Sequence, residues 1–534
     1  VARTAHLDTF VRDNLPPPDQ QPVFLFDRPE LRYPQRLNCA GLLDRVIDDG
    51  MADNPAVLCG DLRWTYAALN LHANRIAHVL ASDPTFTPGA RVLLHGPNAP
   101  WTIAAWFGIV KAGGVVVATM PLLRAGELVK VVDKARISHA IADAALAEAV
   151  EGARDATGLL SRVLYYGEGG DLERLAAAQP DAFASVDTAS DDPVLIAFTS
   201  GTTGAPKGCV HYHRDVLVMV DTFSRHILRP EARDVFCGTP PLAFTFGLGG
   251  VVIFPLAAGA AIALPAAPGF EGLQEAISRH GVTTLFTAPT GYRALLKYDR
   301  QGIGSLRTCV SAGEALPAAT SEAWMEATGI RIIDGIGATE MIHIFISAAG
   351  DDIRPGATGK PVPGFIAEIQ DDDGNALPRG ETGRLAVRGP TGCRYLADPR
   401  QADYVKRGWN MTGDVYRVDE DGYFWFVSRA DDMIVSSGYN IGAPEVENAL
   451  LQHPDVAEAA VIGAPDPERG QICKAFVVLK SGSGSAARAE ELQVFVKSVI
   501  APYKYPRAIE FVDALPKTQT GKVQRFRLRE SQRA

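Results

Sequence analysis

Apolar-rich runs of strand length recur through the first 430 residues, ending in Gly or Pro and separated by stretches of helix length. ARVLLHG (90–96), GGVVVATMP (113–121), VTTLFTAPT (282–290) and RTCVSAGEA (307–315) read as buried strands, and PWTIAAWFGIVKAG (100–113) as a helix between two of them. Strands without polar alternation need cover on both faces, so the pattern predicts α/β layers with largely parallel strands. At 534 residues the chain exceeds what one core can hold, and two or more domains are expected.

After about residue 360 the texture changes. FIAEIQDDDGNALPRGETGRLAVRG (365–389) and DVYRVDEDGYFWFVSRADDMIVSSGYNI (414–441) alternate around DDDG and DEDG, which are tight-turn signals. The last hundred residues read as a small α+β unit: helix 444–452, strands 456–463 and 473–480, helix 489–499 and a basic end. The predicted fold class is α/β, with a large N-terminal domain of layered α/β subdomains plus a β-rich subdomain (1–430) and a small α+β C-terminal domain (431–534). Gly247 to Leu264 is apolar enough to suggest a membrane span, but Pro255 and several glycines favour a buried strand–turn–strand.

A predicted strand leads into the most informative segment, Leu195-Ile-Ala-Phe-Thr199-Ser200-Gly201-Thr202-Thr203-Gly204-Ala-Pro-Lys207-Gly208. Glycines let backbone N–H groups converge on an anion, hydroxyls add donors, and Lys207 supplies a point charge. It is not a Walker A loop, which needs GxxxxGK[ST]; a plain surface loop is the bland alternative. The formal charge of −10 argues against a protein that coats nucleic acid, while leaving room for one small anion in a local basic site. Seven scattered cysteines without a CxxC pair suit a reducing cytoplasm, and the N-terminal stretch lacks the apolar region of a signal peptide. His211 and His213 have no further ligand cluster beside them, so a metal pair is not expected there.

TSGTTGAPKG (199–208) resembles the phosphate signature of the adenylate-forming superfamily of acyl-CoA ligases, adenylation domains and luciferases. Other pieces follow in that family's order. Asp334-Gly335-Ile336-Gly337-Ala-Thr339-Glu340 resembles the adenine- and magnesium-binding segment, and Thr412-Gly-Asp414 the ribose-binding one. Ser428-Arg429-Ala-Asp431-Asp432 resembles the hinge, with Ser428 where many relatives carry Gly, and Pro516-Lys-Thr-Gln-Thr-Gly521-Lys522 the C-terminal lysine motif. The likeness spans nearly the whole chain. Taken singly, Glu340 is a hard oxygen ligand suited to Mg²⁺ or a solvated helix-start acid. Thr339 is a phosphate donor or an N-cap, and Asp414 an acceptor for both ribose hydroxyls or a turn former. Ser311-Ala312-Gly313-Glu314-Ala315 ends a predicted strand with small residues against which a flat adenine can stack, or which simply pack closely.

The resemblance implies ATP, Mg²⁺ and CoA as ligands and a small aromatic acid as substrate. A carboxylate is a poor acylating agent, so it attacks the α-phosphorus of ATP, giving acyl-AMP and pyrophosphate; the CoA thiol then displaces AMP. Two anions must meet, so charge neutralisation and alignment dominate. Glu340 with Mg²⁺, Thr339, Lys207, the 199–208 amides and Lys522 would share that work. In relatives the small domain rotates about one hinge residue between the two steps. Asp431 matches that hinge, Lys522 faces the site for adenylation, and the Ser436-Ser437-Gly438-Tyr439 turn replaces it as the CoA tunnel. Lys504, Arg507, Arg525 and Arg527 offer cations for CoA phosphates, or form a solvated basic tail. No membrane partner is expected, and a homodimer is common among relatives.

TEMIHIFIS and PYKYPRAIEFVDALPKTQTGK (502–522) resemble benzoate-CoA ligases and, more narrowly, 2-aminobenzoate-CoA ligases, with salicylate as a sibling substrate. The acid pocket is then expected from Thr245, Phe246, Gly247, Ala312, Gly335, Gly337, Ile342 and His343. Glycines beside Phe246 and at 335 and 337 would leave a flat slot for an aryl ring, with Thr245 and His343 aimed at an ortho substituent. For both, ordinary core packing is the competing reading. The nearest rival function is an adenylation enzyme that loads an aryl acid onto a carrier-protein thiol. A luciferase-like oxygenase and a nucleotide-binding regulator without catalysis are more distant ones.

Overall fold

Arg91–His95 and Val115–Thr119 lie side by side in register, both buried throughout, at the centre of a six-stranded sheet. The computed structural model describes residues 3–199, 206–297, 300–436, 439–466, 469–517 and 522–532. In that first sheet the strands are parallel except the last pair, Pro193–Thr199 and Lys207–Tyr212, which forms an antiparallel hairpin. A second, nine-stranded sheet carries Thr284–Thr287, Thr308–Ala312 and Ile333–Gly337 as parallel neighbours, with antiparallel strands added at its two edges. Parallel strands with both faces covered explain why the runs lack polar alternation.

Helices Tyr66–Ala81 and Pro100–Lys111 supply the cover. Thr65 caps the first by accepting from the Ala68 N–H at 3.2 Å. Pro100 opens the second, where its missing N–H costs nothing. A Cβ on Gly108 would stand 2.7 Å from Ile76 Cγ2, so the glycine allows the two helices to touch. Their apolar faces merge with both sheets in the largest core, which joins Trp106, Val92 and Val116 to Val57, Phe236 and Phe286. Each such side chain contributes about 1.5–3 kcal/mol when fully buried.

The β-rich part is a five-stranded antiparallel sheet from Ile366–Gln370 to Phe424–Arg429. The C-terminal unit has its own five-stranded sheet and its own core, packed under helices Ala443–Leu451 and Ala486–Val499. One expectation is corrected. Residues 245–257 form successive helical segments, and only Ala261–Leu264 is a strand. The Val-Val-Ile run suggests a strand, but this segment is buried on all sides, and packing overrides propensity. Cβ atoms on Gly249 and Gly250 would strike His343 at 2.5 Å and Phe286 at 2.2 Å. Among the described residues no helix is long and apolar enough to cross a membrane.

Candidate active site

In the hairpin Pro193–Thr199/Lys207–Tyr212, Thr199 and Lys207 form the last described pair. Ser200, Gly201, Thr202, Thr203 and Gly204 lie outside the described residues. Thr199 Oγ1 is buried without a hydrogen-bond partner. Lys207 Nζ stands 4.9 Å from the centre of the Tyr395 ring, a cation–π distance.

Ile333–Gly337 ends in a single 3₁₀ turn, Thr339–Met341. Glu340 on that turn is buried, and its Oε1 accepts a short hydrogen bond from the Tyr395 hydroxyl. Burial raises the Glu340 pKa and the Cys209 thiol adds to this, while the Tyr395 bond and Lys207 oppose it. A buried carboxylate with oxygen capacity left over fits a hard divalent cation shared with phosphates. The turn closes on Ile342, whose φ of 67° is rare for a β-branched residue and marks stored strain.

Strand Thr308–Ala312 runs beside Ile333–Gly337, placing Ala312 opposite Gly335. Around this edge Ser311 Oγ, Glu314 Oε1 and Asp334 Oδ1 are buried without hydrogen-bond partners. Native interiors satisfy nearly all such atoms, so a cluster of orphans points to a bound polar group. Burial raises the Glu314 pKa and pushes that of Asp334 up to about 7. Gly313 has φ 90°, and a Cβ built on it would lie 3.8 Å from Lys522 Nζ. Lys522 thus reaches the Ser311–Glu314 segment from the C-terminal unit. It keeps solvent access, yet desolvation lowers its pKa, with Glu314 opposing. Asp414 faces Arg429 across a strand pair, with a 2.9 Å ion pair between them, and Arg429 also donates to the Thr412 carbonyl at 3.1 Å.

Beyond the strained turn, His343 is buried among Phe223, Phe246 and Phe254, at ring separations of 5.3, 5.9 and 4.7 Å. Neither of its nitrogens has a hydrogen-bond partner, and burial pushes its pKa down to about 3. Thr245 is buried at the start of the neighbouring helix. The glycines stand where a side chain would collide with its neighbours. A Cβ on Gly335 would meet Ile344 at 2.7 Å, one on Gly337 the His343 carbonyl at 2.8 Å, and one on Gly247 the Pro241 carbonyl at 2.1 Å.

Asp431 falls in the turn Ala430–Asp432 after the last strand of the β-rich sheet. Ser437 and Gly438 lie outside the described residues, between paired strands Met433–Ser436 and Tyr439–Gly442. Among the basic candidates for CoA phosphates, Lys504 is bound to Glu445 at 2.6 Å and Arg525 to Glu447 at 2.7 Å. Two contacts escaped sequence reasoning, which weighed His211 only as a metal ligand. Tyr395 binds Glu340, and His211 Nε2 lies 2.8 Å from the Thr339 carbonyl. Both act across long sequence separations, and no local pattern signals them.

A model described as AMP-binding enzyme matches residues 44–395, and one for the C-terminal domain of AMP-binding enzymes matches 445–522. A benzoate–CoA ligase of Thauera aromatica is 36% identical over 515 residues, covering 94% of this chain and 97% of its own. The crystal structure of the anthranilate CoA ligase AuaEII in complex with anthranoyl-AMP superposes with a TM-score of 0.89 at 36% identity, covering 95% of this chain and 99% of that one. A benzoate CoA ligase from Burkholderia xenovorans LB400 gives 0.84 at 34% identity, over 92% and 100% of the two chains.

Proposed function

The chain belongs to the family of AMP-binding enzymes, and from that premise we propose that it is an ATP-dependent aryl-CoA ligase acting on benzoate or an ortho-substituted benzoate. The observation that carries the reading is the set of unpartnered buried atoms on Ser311, Glu314 and Asp334 at the end of one strand pair, with Lys522 beside it, together with Lys207 resting on Tyr395, the partner of Glu340.

ATP would lie with its adenine along the Ser311–Glu314 edge and Gly335–Ile336. Asp334 would accept from the exocyclic amine, and Asp414 from the ribose hydroxyls. The phosphates would face Thr339, Lys207 and the 199–208 hairpin tip. Glu340 would hold Mg²⁺, which supplies charge neutralisation to the triphosphate. The acid's carboxylate oxygen forms a bond to the α-phosphorus as the bond to pyrophosphate breaks. Lys522 and Lys207 offset the gathering negative charge, and no proton need move in that step. The deprotonated CoA sulfur then adds to the acyl carbon, and AMP leaves with the electron pair of the broken C–O bond.

Rotation about Asp431 would exchange Lys522 for the Ser437–Gly438–Tyr439 turn, which makes residues near 430 the boundary between a 1–430 domain and a 431–534 lid. The position of Lys522 beside Gly313 supports an adenylation-type arrangement here. The aryl ring would rest on Phe246 and Ile342, with Thr245 and His343 near its ortho position. Similarity to proteins named for benzoate and anthranilate supports that choice.

The test is pyrophosphate release from Mg·ATP over ortho-, meta- and para-substituted benzoates and fatty acids, with and without CoA. Release with aryl acids and CoA-dependent thioester formation is expected. No pyrophosphate from any acid would remove the proposal, and activation without CoA transfer would favour the carrier-loading rival.

A further inference from the structure

The strained turn that carries Thr339 and Glu340 is braced from behind by groups the proposed reaction does not use. The Thr339 carbonyl accepts two hydrogen bonds, from the Ile342 N–H at 3.1 Å and from His211 Nε2 at 2.8 Å. His211 is fully buried, and its Nδ1 faces Asp215 Oδ2 at 3.7 Å. Asp215 in turn takes the Arg394 guanidinium at 2.8 Å, with both side chains wholly buried. Arg394 is the residue before Tyr395, the partner of Glu340. Its segment is laced to the phosphate hairpin by Val210 N–H to the Arg394 carbonyl and Leu396 N–H to the Gly208 carbonyl, both at 2.8 Å.

We infer that His211 is a positioning residue: backed by the Asp215–Arg394 pair, it fixes the Thr339 carbonyl and so holds Thr339 and Glu340 in place for the magnesium–triphosphate. This rests on the ATP-binding reading above. A buried ion pair removed from solvent is a weak source of stability, and its best-attested use is to specify one arrangement. Here the arrangement specified is a backbone with Ile342 at φ 67°, a strained conformation that persists only where its surroundings over-determine it. Loss of the imidazole donor would let the turn relax, carrying the Glu340 carboxylate with it. Outer partners of this kind typically change metal affinity about 10- to 100-fold.

The experiment compares wild type, His211→Leu and His211→Gln, whose side-chain amide can replace the Nε2 donor. Mg·ATP affinity is measured by calorimetry, the Mg²⁺ dependence of pyrophosphate release by kinetics, and folding by Tm. The half-saturating Mg²⁺ is expected to rise about 10-fold or more in His211→Leu, with Mg·ATP binding weakened in parallel. His211→Gln should restore both to within about 3-fold, and CoA transfer from supplied aryl-AMP should fall much less than adenylation. Asp215→Asn, which keeps the shape and removes the charge behind the ring, is expected to shift Mg·ATP affinity in the same direction, and it decides the matter should His211→Leu not fold. Unchanged Mg²⁺ dependence, or equal loss of both half-reactions with a lowered Tm and no rescue by Gln, overturns the inference. Wild type run alongside reports on the reaction itself, so its failure to release pyrophosphate is a separate outcome.

Discussion

Tyr395 donates its hydroxyl hydrogen to Glu340 Oε1 while its ring face carries the Lys207 ammonium at 4.9 Å. One side chain thus fixes the acid proposed to hold Mg²⁺ and the lysine proposed to meet phosphate. A hydrogen bond to a charged group is worth about 1.5–3 kcal/mol. Tyr395→Phe keeps the ring under Lys207 and removes only the bond to Glu340. Its half-saturating Mg²⁺ in pyrophosphate release is expected to rise about 10-fold or more. Mg²⁺ dependence identical to wild type would show that the bond has no part in the site.

Lys522 reaches the Gly313 edge from a segment that begins no closer in sequence than the C-terminal unit. Lys522→Ala should lower aryl-AMP formation about 100-fold or more, as expected for removing a group that meets developing charge. Conversion of supplied aryl-AMP and CoA to the thioester should remain near wild type, because the proposed rotation would take the lysine out of the site for that step. Quench-flow measurement of each half-reaction separates the cases. Equal loss in both counts against alternation of the C-terminal unit.

Asp334 titrates far above the ordinary carboxylate range. Burial pushes its pKa up to about 7, with a Gly335 N–H bond working against the shift. The unfolded chain releases this proton near pH 4, so across the interval from about 4 to 7 the folded protein binds more protons. Its contribution to stability is complete below that interval and declines as pH rises through it, by up to about 1.4 kcal/mol per pH unit. Asp334→Asn removes the effect, so its Tm relative to wild type should climb between pH 5 and 8. In wild type the KM for ATP should fall as pH rises through 7, when the carboxylate can accept from adenine, and Asn should flatten that profile. Parallel melting profiles for the two proteins would refute the burial argument.

Much of the architecture was readable because burial writes itself into short-range pattern. Arg91–His95, Val115–Thr119 and Thr308–Ala312 are apolar because neighbours cover both faces, and Pro100 marks a helix start by its own chemistry. Residues 245–257 misled because a segment buried all round shows no periodicity, and Gly249 and Gly250 answer to His343 and Phe286, far away in sequence. The loop, Glu340, Asp414 and Lys522 stand out in the sequence as motifs, since the phosphate and ribose chemistry proposed for them would restrict residue type. Tyr395, His211 and the Asp215–Arg394 pair do not, because a supporting residue is defined by which surface it meets.

On the proposed reading, the choice of acid turns on His343. Its pKa, pushed down to about 3 by burial, leaves it neutral at working pH, with one ring nitrogen a donor and the other an acceptor. Neither makes a well-formed hydrogen bond: the Phe223, Phe246 and Phe254 rings offer none, and only the Phe246 backbone comes near enough to oppose the burial shift. An ortho hydroxyl or amine beside the carboxylate would supply one, and unsubstituted benzoate would leave the imidazole unsatisfied. An orphaned buried polar group costs about 1–3 kcal/mol, or about 5- to 150-fold in kcat/KM. Salicylate and 2-aminobenzoate are therefore expected to exceed 4-hydroxybenzoate and benzoate by that margin. His343→Leu should bring the ratio near unity by raising benzoate activity relative to the others. A clear preference for the para isomer, or a ratio that His343→Leu leaves unchanged, would remove the imidazole from substrate selection and return it to the aromatic core that surrounds it.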